Sequence, residues 1–133
     1  MKTTVLAWLL ILVLYSGAFA EKSKISTEGQ SGQCENAVAQ RLDYLNDISQ
    51  IKWARVVCLA DRTLVFVGWK GKPEGFRMSA NSVALWAHKT SGKKAFAYHF
   101  DAFKYKKYTE SMAQNYFCFA PAYDGKVQKS NCR

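Results

Sequence analysis

The sequence predicts a small α+β domain, in which an antiparallel sheet carries an N-terminal helix, a second helix lies between strands, and two disulfides close the fold. Three observations lead to this fold class. Segments with helical periodicity and segments with strand periodicity follow one another along the chain, each is short, and four cysteines are present. A chain of 133 residues is the size of a single domain with one core.

The N-terminal segment predicts export. Lys2 precedes a nearly unbroken apolar run from Val5 to Tyr15, and "SGAFA" ends the segment with small residues. The run is shorter than the about 20 apolar residues that span a bilayer, and the pattern is that of a cleaved signal peptide. We therefore expect a signal peptide over residues 1–20, a flexible polar leader over 21–33 and the disulfide-bonded domain over 34–133. The expected location is extracellular, or periplasmic if the source is bacterial.

The first half of the domain reads as a helix followed by a hairpin. Val38, Leu42 and Leu45 recur at helical spacing within the segment 35–48, which predicts an amphipathic helix. The runs "IKWARVVCLA" at 51–60 and "TLVFVGW" at 63–69 predict two strands joined by a tight turn. Both strands are apolar on both faces, so we expect them inside the sheet.

A second helix is predicted over residues 79–92, with Ser79 or Asn81 as its N-cap and Gly92 as the residue that ends it. The next segment, "AFAYHFDAF" at 95–103, alternates between two faces and predicts a strand. Phe96, Tyr98 and Phe100 share one face, and we expect His99 to face outward with Asp101 on the other. The last strand is predicted at 115–120.

The cysteines predict two disulfides, because an even number of cysteines in an exported chain is the usual sign of disulfide pairing. They are Cys34, Cys58, Cys118 and Cys132. Of the three possible connectivities we favour the nested one, with Cys58 paired to Cys118 and Cys34 paired to Cys132. The spacings lack the C-x-x-C and H-x₃-H patterns of zinc sites, so neither a metal nor any other cofactor is predicted.

The order of elements is similar to that of the oligonucleotide/oligosaccharide-binding barrels of secreted toxins and of cystatin-like and ribonuclease-like folds. The similarity is one of element order alone. No residue motif of these families occurs in the sequence, and no site residue is carried over from them.

A strong positive charge favours an anionic partner. The chain carries 19 Lys and Arg against 10 Asp and Glu, a formal charge of +9. Cations with interleaved aromatic residues surround the strand at 95–103, which suits an anionic polymer. The candidate binding residues are Lys89, Lys93, Lys94, Lys104, Tyr105, Lys106, Lys107 and Tyr108. The alternative is that these lysines guard a sheet edge against strand pairing. "KGKPEGF" at 70–76 is a second candidate contact loop, whose alternative is a plain turn.

These observations favour binding over catalysis. The expected function is that of a secreted basic interaction protein, such as an effector, an inhibitor or a toxin or adhesion module, which recognises an anionic, glycan or protein partner. The alternative is a small ribonuclease-like hydrolase that uses His88 and His99 as its acid and base. Nothing in the spacing makes the two histidines converge, and no nucleophile or metalloprotease motif is present.

Overall fold

The protein, described by a computed structural model over residues 23–27 and 32–133, folds into a six-stranded mixed sheet with two α-helices on one face. The predicted signal peptide, and residues 21–22 and 28–31 of the predicted leader, lie outside the described residues. Within the described part of the chain, neither α-helix has the length and apolar composition needed to cross a bilayer.

The elements follow the predicted order, and the α+β class is confirmed. The strands are β1 (Ile25–Ser26), β2 (Ile51–Cys58), β3 (Arg62–Trp69), β4 (Lys94–Asp101), β5 (Cys118–Tyr123) and β6 (Lys126–Val127). The helices are α1 (Gln33–Arg41) and α2 (Phe76–Ser91), with short 3₁₀ helices at Asp43–Asp47 and Glu110–Met112.

The sheet is larger than predicted and is not purely antiparallel. Its spatial order is β1-β2-β3-β4-β5-β6, in which the pairs β1/β2 and β3/β4 are parallel and the other pairs are antiparallel. The prediction of an antiparallel sheet is wrong at β3/β4 because α2 carries the chain back along the sheet. A strand that follows such a crossover runs parallel to the strand before it.

The first predicted helix is split in two. α1 ends at Arg41, and the chain continues as the 3₁₀ helix Asp43–Asp47 rather than as one helix to residue 48. The predicted apolar stripe is nevertheless confirmed, because Val38, Leu42 and Leu45 are fully buried. The 3₁₀ helix, which is wound more tightly than an α-helix, therefore completes the burial of the stripe.

The second helix begins earlier than predicted and ends as predicted. α2 starts at Phe76, after Gly75 in a left-handed conformation with φ 78°, and it stops at Gly92 with φ 71°. The glycine in the preceding loop, rather than Ser79 or Asn81, therefore marks the start.

Small side chains form the contact between α2 and the sheet. Each of these alanines is fully buried in the main core: Ala80, Ala84 and Ala87 on α2, and Ala95, Ala97, Ala120 and Ala122 on β4 and β5. Short side chains on both surfaces allow the helix backbone to approach the sheet closely.

Part of the predicted leader is a strand. Ile25 and Ser26 pair in parallel with Ala54 and Arg55 of β2, and the Lys24 amide donates to Asn46 Oδ1 at 2.8 Å. Ile25 is buried against the main core. The segment before Cys34 therefore contributes to the sheet, which its polar composition did not indicate.

The disulfides are sequential rather than nested, so the predicted connectivity is wrong. Cys34 pairs with Cys58, which joins α1 to the end of β2, and Cys118 pairs with Cys132, which joins β5 to the C-terminal segment. β2 and β5 are separated by β3 and β4, so Cys58 and Cys118 lie three strand spacings apart, roughly 14 Å. A disulfide requires Cα atoms within about 7 Å.

Gly68 provides the space for a tryptophan. Gly68 is paired with Trp53 across β2 and β3, and a Cβ at this glycine would overlap the Trp53 indole. The indole Nε1 donates to the carbonyl oxygen of Tyr105 at 2.7 Å. Trp53 thereby holds the segment 102–117, which connects β4 to β5, against the sheet.

We expect each disulfide to stabilise the fold by about 3 kcal/mol, because each closes a loop of moderate length in the unfolded chain. The loops span 24 residues for Cys34–Cys58 and 14 for Cys118–Cys132. Urea unfolding of the double variants Cys34→Ser/Cys58→Ser and Cys118→Ser/Cys132→Ser measures the loss. Non-reducing peptide mapping of the wild-type protein is the control, and a peptide linking Cys58 to Cys118 would contradict the observed pairing.

Candidate functional site

The two faces of the sheet differ in what covers them. One face lies under α1 and α2 and forms the main core. On the opposite face, which we call the open face, strand alternation and cross-strand register place the following side chains: Trp53, Arg55, Val57, Arg62, Leu64, Phe66, Lys94, Phe96, Tyr98, Phe100, Phe119, Pro121, Tyr123 and Lys126. No helix covers this face in the described part of the chain.

Three partly exposed rings, Phe96, Tyr98 and Phe119, form the aromatic centre of the open face. Tyr98 lies between Phe66 of β3 and Phe119 of β5 in the register. The Phe66 and Tyr98 rings are stacked with centroids 5.4 Å apart, and those of Phe96 and Phe119 are stacked at 5.8 Å. Partial burial raises the pKa of the Tyr98 hydroxyl, and the adjacent Tyr116 adds to the effect.

The segment 102–117 covers one end of the open face. Under it, Trp53, Phe66 and Phe100 are almost completely buried. Tyr108 packs on Phe66 with centroids 4.4 Å apart, and Met112 completes this second apolar cluster. The segment leaves the aromatic centre partly accessible, because only Tyr116 of the segment is seen to pack on it, edge-on against Tyr98 with centroids 5.1 Å apart.

A row of cations borders the aromatic centre at the other end. We call Arg62, Lys94 and Lys126 the cation row, which the register places side by side with Tyr123 between the two lysines. Arg62 lies directly opposite Lys94, an arrangement of like charges that is unfavourable without a counter-charge.

Asp61 partly neutralises the cation row. Its carboxylate accepts from Arg62 at 3.1 Å, and this hydrogen bond holds the pKa of Asp61 below its ordinary value and that of Arg62 above it. Both side chains are well exposed, so this ion pair contributes little to stability. The Nζ atom of Lys94 lies 5.4 Å from the centre of the Tyr123 ring.

A small cationic cleft of about 140 Å³ lies at the β1/β2 edge of the sheet, separated from the aromatic centre by Phe66 of β3. It is lined by Lys24, Ser26, Trp53, Ala54, Arg55, Lys107 and Tyr108. The Arg55 guanidinium carbon lies 5.5 Å from the centre of the Tyr108 ring, and Lys24 Nζ donates to the carbonyl oxygen of Ile48 at 3.1 Å. Among the described residues, three cations and no acid line this cleft.

The predicted binding residues divide between the two ends of β4. Lys94 belongs to the cation row, and Lys107 and Tyr108 line the cationic cleft. Tyr105 packs edge-on against Phe100, and Lys104 lies over the Tyr105 ring at 5.5 Å. This part of the prediction therefore lies on or beside the open face.

The other predicted residues do not join this surface. Lys89 lies on α2, with Nζ 5.5 Å from the centre of the Trp86 ring, on the opposite side of the sheet. Lys93 Nζ donates to the carbonyl oxygen of Leu59 at 2.8 Å, and Lys106 is exposed in the segment 102–117 without a described contact to the face.

The alternative role of the lysines, as guards of a sheet edge, is wrong for this strand. β4 lies between β3 and β5, and the edges of the sheet are β1 and β6. Lysines at the ends of an interior strand do not protect a row of unpaired backbone groups.

His99 is part of the core and does not face outward as expected. Its side chain is fully buried on the face that α2 covers. Trp69 Nε1 donates to His99 Nδ1 at 2.8 Å, and His99 Nε2 donates to the Ala80 carbonyl oxygen at 3.1 Å. Burial away from water lowers the pKa of His99 to about 4.

His88 is also engaged at both ring nitrogens. Nδ1 donates to the carbonyl oxygen of Lys93 at 2.7 Å, and Nε2 accepts from the Gly125 amide at 3.0 Å. His88 lies eight helical positions, about 12 Å, beyond Ala80, to which His99 bonds. The two histidines are therefore not placed to act as acid and base on one substrate.

One group of metal-ligand residue types is buried together in the described chain. The donor atoms of His99, Cys118 and Cys132 lie within 4.8 Å of one another. Both sulfurs are joined in the disulfide, and both ring nitrogens of His99 are hydrogen-bonded to protein atoms. This group is not a metal site.

The second candidate loop borders a separate cleft of about 260 Å³ at the carboxyl ends of β3 and β4. Its lining includes Lys72, Asp101, Phe103 and Phe117, and Phe103 is 69% exposed. Lys72 Nζ lies 5.1 Å from the centre of the Phe117 ring. One cation and one acid line this cleft, whereas the described strands present only cations among their charged side chains on the open face.

Sequence reasoning missed Lys24, Arg55, Arg62 and Lys126. The alternation that assigned Phe96 and Tyr98 to one face also assigns Lys94 to it, and the hairpin register then adds Arg55 and Arg62. That signal was present in the sequence. Lys24 and Lys126 carried no such signal, because each lies in or beside a two-residue edge strand whose pairing the sequence does not reveal.

Comparison of the chain with protein-family models, with curated proteins and with solved structures finds no match. The function is therefore argued from the geometry of the site alone.

We expect the free energy of unfolding to fall by roughly 3 kcal/mol between pH 7 and pH 4 because of His99. The unfolded histidine, with a pKa near 6.5, gains its proton first, whereas the folded form resists protonation down to about pH 4. The stabilisation is therefore present above pH 6.5 and is lost as the pH falls through this window. Urea unfolding at both pH values measures it.

His99→Gln is the matched control, because an amide can still accept from Trp69 and donate to Ala80. Carboxylates titrate in the same window in both proteins, so the difference between them isolates the histidine. An equal pH dependence in the wild type and the variant would contradict this role of His99.

Proposed function

We propose that the protein is a secreted, disulfide-stabilised binding protein that recognises an anionic macromolecule on its open face, as an effector, inhibitor, or toxin or adhesion module does. One observation carries the proposal. Every charged side chain that the strands present on the open face is a cation, namely Arg55, Arg62, Lys94 or Lys126. Lys24 and Lys107 add to them at the cationic cleft.

Convergence of charge matters more than total charge. A formal charge of +9 attracts polyanions to any surface, but it selects none. On the open face the cations lie on rigid strands, so their positions are fixed before binding. An anion placed over Arg62 and Lys94 also relieves the repulsion between them, which adds to its affinity at this place.

Binding agrees better with the described residues than catalysis does. A ribonuclease-like reaction needs an acid and a base that reach the same phosphate. His88 and His99 have both ring nitrogens bonded to protein atoms and lie on separate elements. On the open face, the strands supply cations and rings but no carboxylate to act as a base.

The disulfides support the proposed location. Both pairs of cysteines are joined, and no free cysteine occurs among the described residues. Disulfides persist in oxidising compartments such as the cell exterior and the periplasm. Together with the predicted signal peptide, they favour export.

We expect the variant Lys94→Glu/Lys126→Glu to bind immobilised heparin about tenfold or more weakly at about 0.1 M salt, because two attractive contacts become repulsive. Salt elution and direct titration measure the change. Lys70→Glu/Lys89→Glu is the matched control, since it changes the net charge equally but lies off the open face. An equal loss in both double variants would show that the partner senses net charge alone, contrary to the proposal.

A further inference from the structure

We propose that the anionic partner of the open face is a single-stranded nucleic acid, whose bases stack on the aromatic centre while its phosphates contact the cation row and the cationic cleft. This inference rests on the function proposed above and names the partner of the same site. It follows from how the open face separates cations from rings.

Cations border the aromatic centre and do not enter it. The strand neighbours of Tyr98 are Phe66 and Phe119, and those of Phe96 are Leu64 and Pro121. In a single strand the charge is on the phosphates and the apolar rings are the bases, which project away from the backbone. The open face separates charge from apolar rings in the same way, because its cations lie at the border and its aromatic rings lie in the middle.

An anionic glycan distributes its charge differently. Its sulfate or carboxylate groups are attached to the sugar rings themselves, so a sugar stacked on Tyr98 brings its charge over the aromatic centre. The cross-strand neighbours of Tyr98 there are phenyl rings, and the counter-charge that reaches the Tyr98 hydroxyl is that of Arg62 in the cation row. Placing an anion on such a surface without a partner is costly.

A duplex also fits this surface poorly. Its bases are stacked inward, so that a shallow protein surface meets phosphates and groove edges rather than base faces. The rings of Phe96, Tyr98 and Phe119 would then lie against charged backbone. Bases that are splayed out on aromatic side chains are typical of single-stranded recognition.

The dimensions suit several nucleotides. Four strand spacings separate β2 from β6, roughly 19 Å, and Arg62 lies four residues along β3 from Phe66, roughly 13 Å. A strand that runs diagonally from Lys126 in the cation row to Arg55 at the cationic cleft passes over Phe96, with Tyr98 and Phe119 on one side of its path. Sites of about 4–16 nucleotides are usual for single-strand binding on small domains.

The test uses a fluorescein-labelled oligothymidylate of about 12 nucleotides, with an oligouridylate of equal length as the RNA arm. We expect Phe96→Leu and Phe119→Leu each to weaken binding of the oligonucleotide by about 5-fold or more, since base–aromatic stacking contributes about 1–3 kcal/mol per base. Heparin affinity is expected to remain unchanged in both variants. Fluorescence anisotropy measures the first affinity and heparin titration the second.

Phe103→Leu is the matched control, because Phe103 is an exposed phenyl ring outside the open face. It is expected to leave both affinities unchanged. A duplex of the same length is expected to bind about 5-fold or more weakly than the single strand. Near-ultraviolet circular dichroism and thermal unfolding verify that each variant is folded.

The outcomes separate this inference from the proposed function. If Lys94→Glu/Lys126→Glu weakens binding but the leucine variants do not, charge alone holds the ligand: the function stands and this inference fails. If the leucine variants weaken heparin binding as much as oligonucleotide binding, or if duplex binds as well as single strand, the inference also fails. If the open-face and control charge variants bind both polyanions equally, both proposals fail.

A measurement on the wild-type protein avoids any dependence on how the variants fold. Stacking of thymine over the aromatic centre shifts the ring-proton NMR signals of Phe96, Tyr98 and Phe119 upfield, whereas heparin leaves them in place. Signals of Phe103 remain unshifted with both ligands. Equal shifts with heparin and oligothymidylate would overturn the inference.

Discussion

A chain of two hydrogen bonds through His99 joins the three elements on which the fold depends. Trp69 at the end of β3 donates to the imidazole of β4, and the imidazole donates to the Ala80 carbonyl oxygen of α2. Because β3 and β4 are parallel, α2 must cross the sheet between them. The buried polar chain favours the face of β4 that the helix covers, since reversing the face would leave the buried Trp69 Nε1 without its acceptor.

The open face exists because α2 covers the other face of the sheet. Both α-helices and the alanine contact occupy one side of the sheet, so within residues 23–27 and 32–133 the rings on the other side are covered only by the segment 102–117. Aromatic side chains on rigid strands are thereby left partly accessible, while the lysines beside them remain in water.

Local sequence patterns predicted helices and strands, whereas the features that depend on long-range pairing of strands were not predicted. Alternation in β4 correctly separated Phe96 and Tyr98 from His99, but periodicity does not state which face a helix covers, so His99 was placed in solvent. The pairing of Cys58 depended on how many strands lie between β2 and β5, which is a property of topology. Likewise, Lys94 and Lys107 were singled out by local charge, whereas Lys24 and Lys126 come to the open face only through edge pairing.

The contact between Trp53 and Gly68 links two positions on neighbouring strands. No side chain larger than a hydrogen atom fits at position 68 while an indole covers it, and the same indole donates to the Tyr105 carbonyl oxygen. The two positions are therefore sterically coupled. Among chains that share this fold, tryptophan at position 53 and glycine at position 68 should be inherited together, and their joint replacement would mark a lineage in which the segment 102–117 is held by other means.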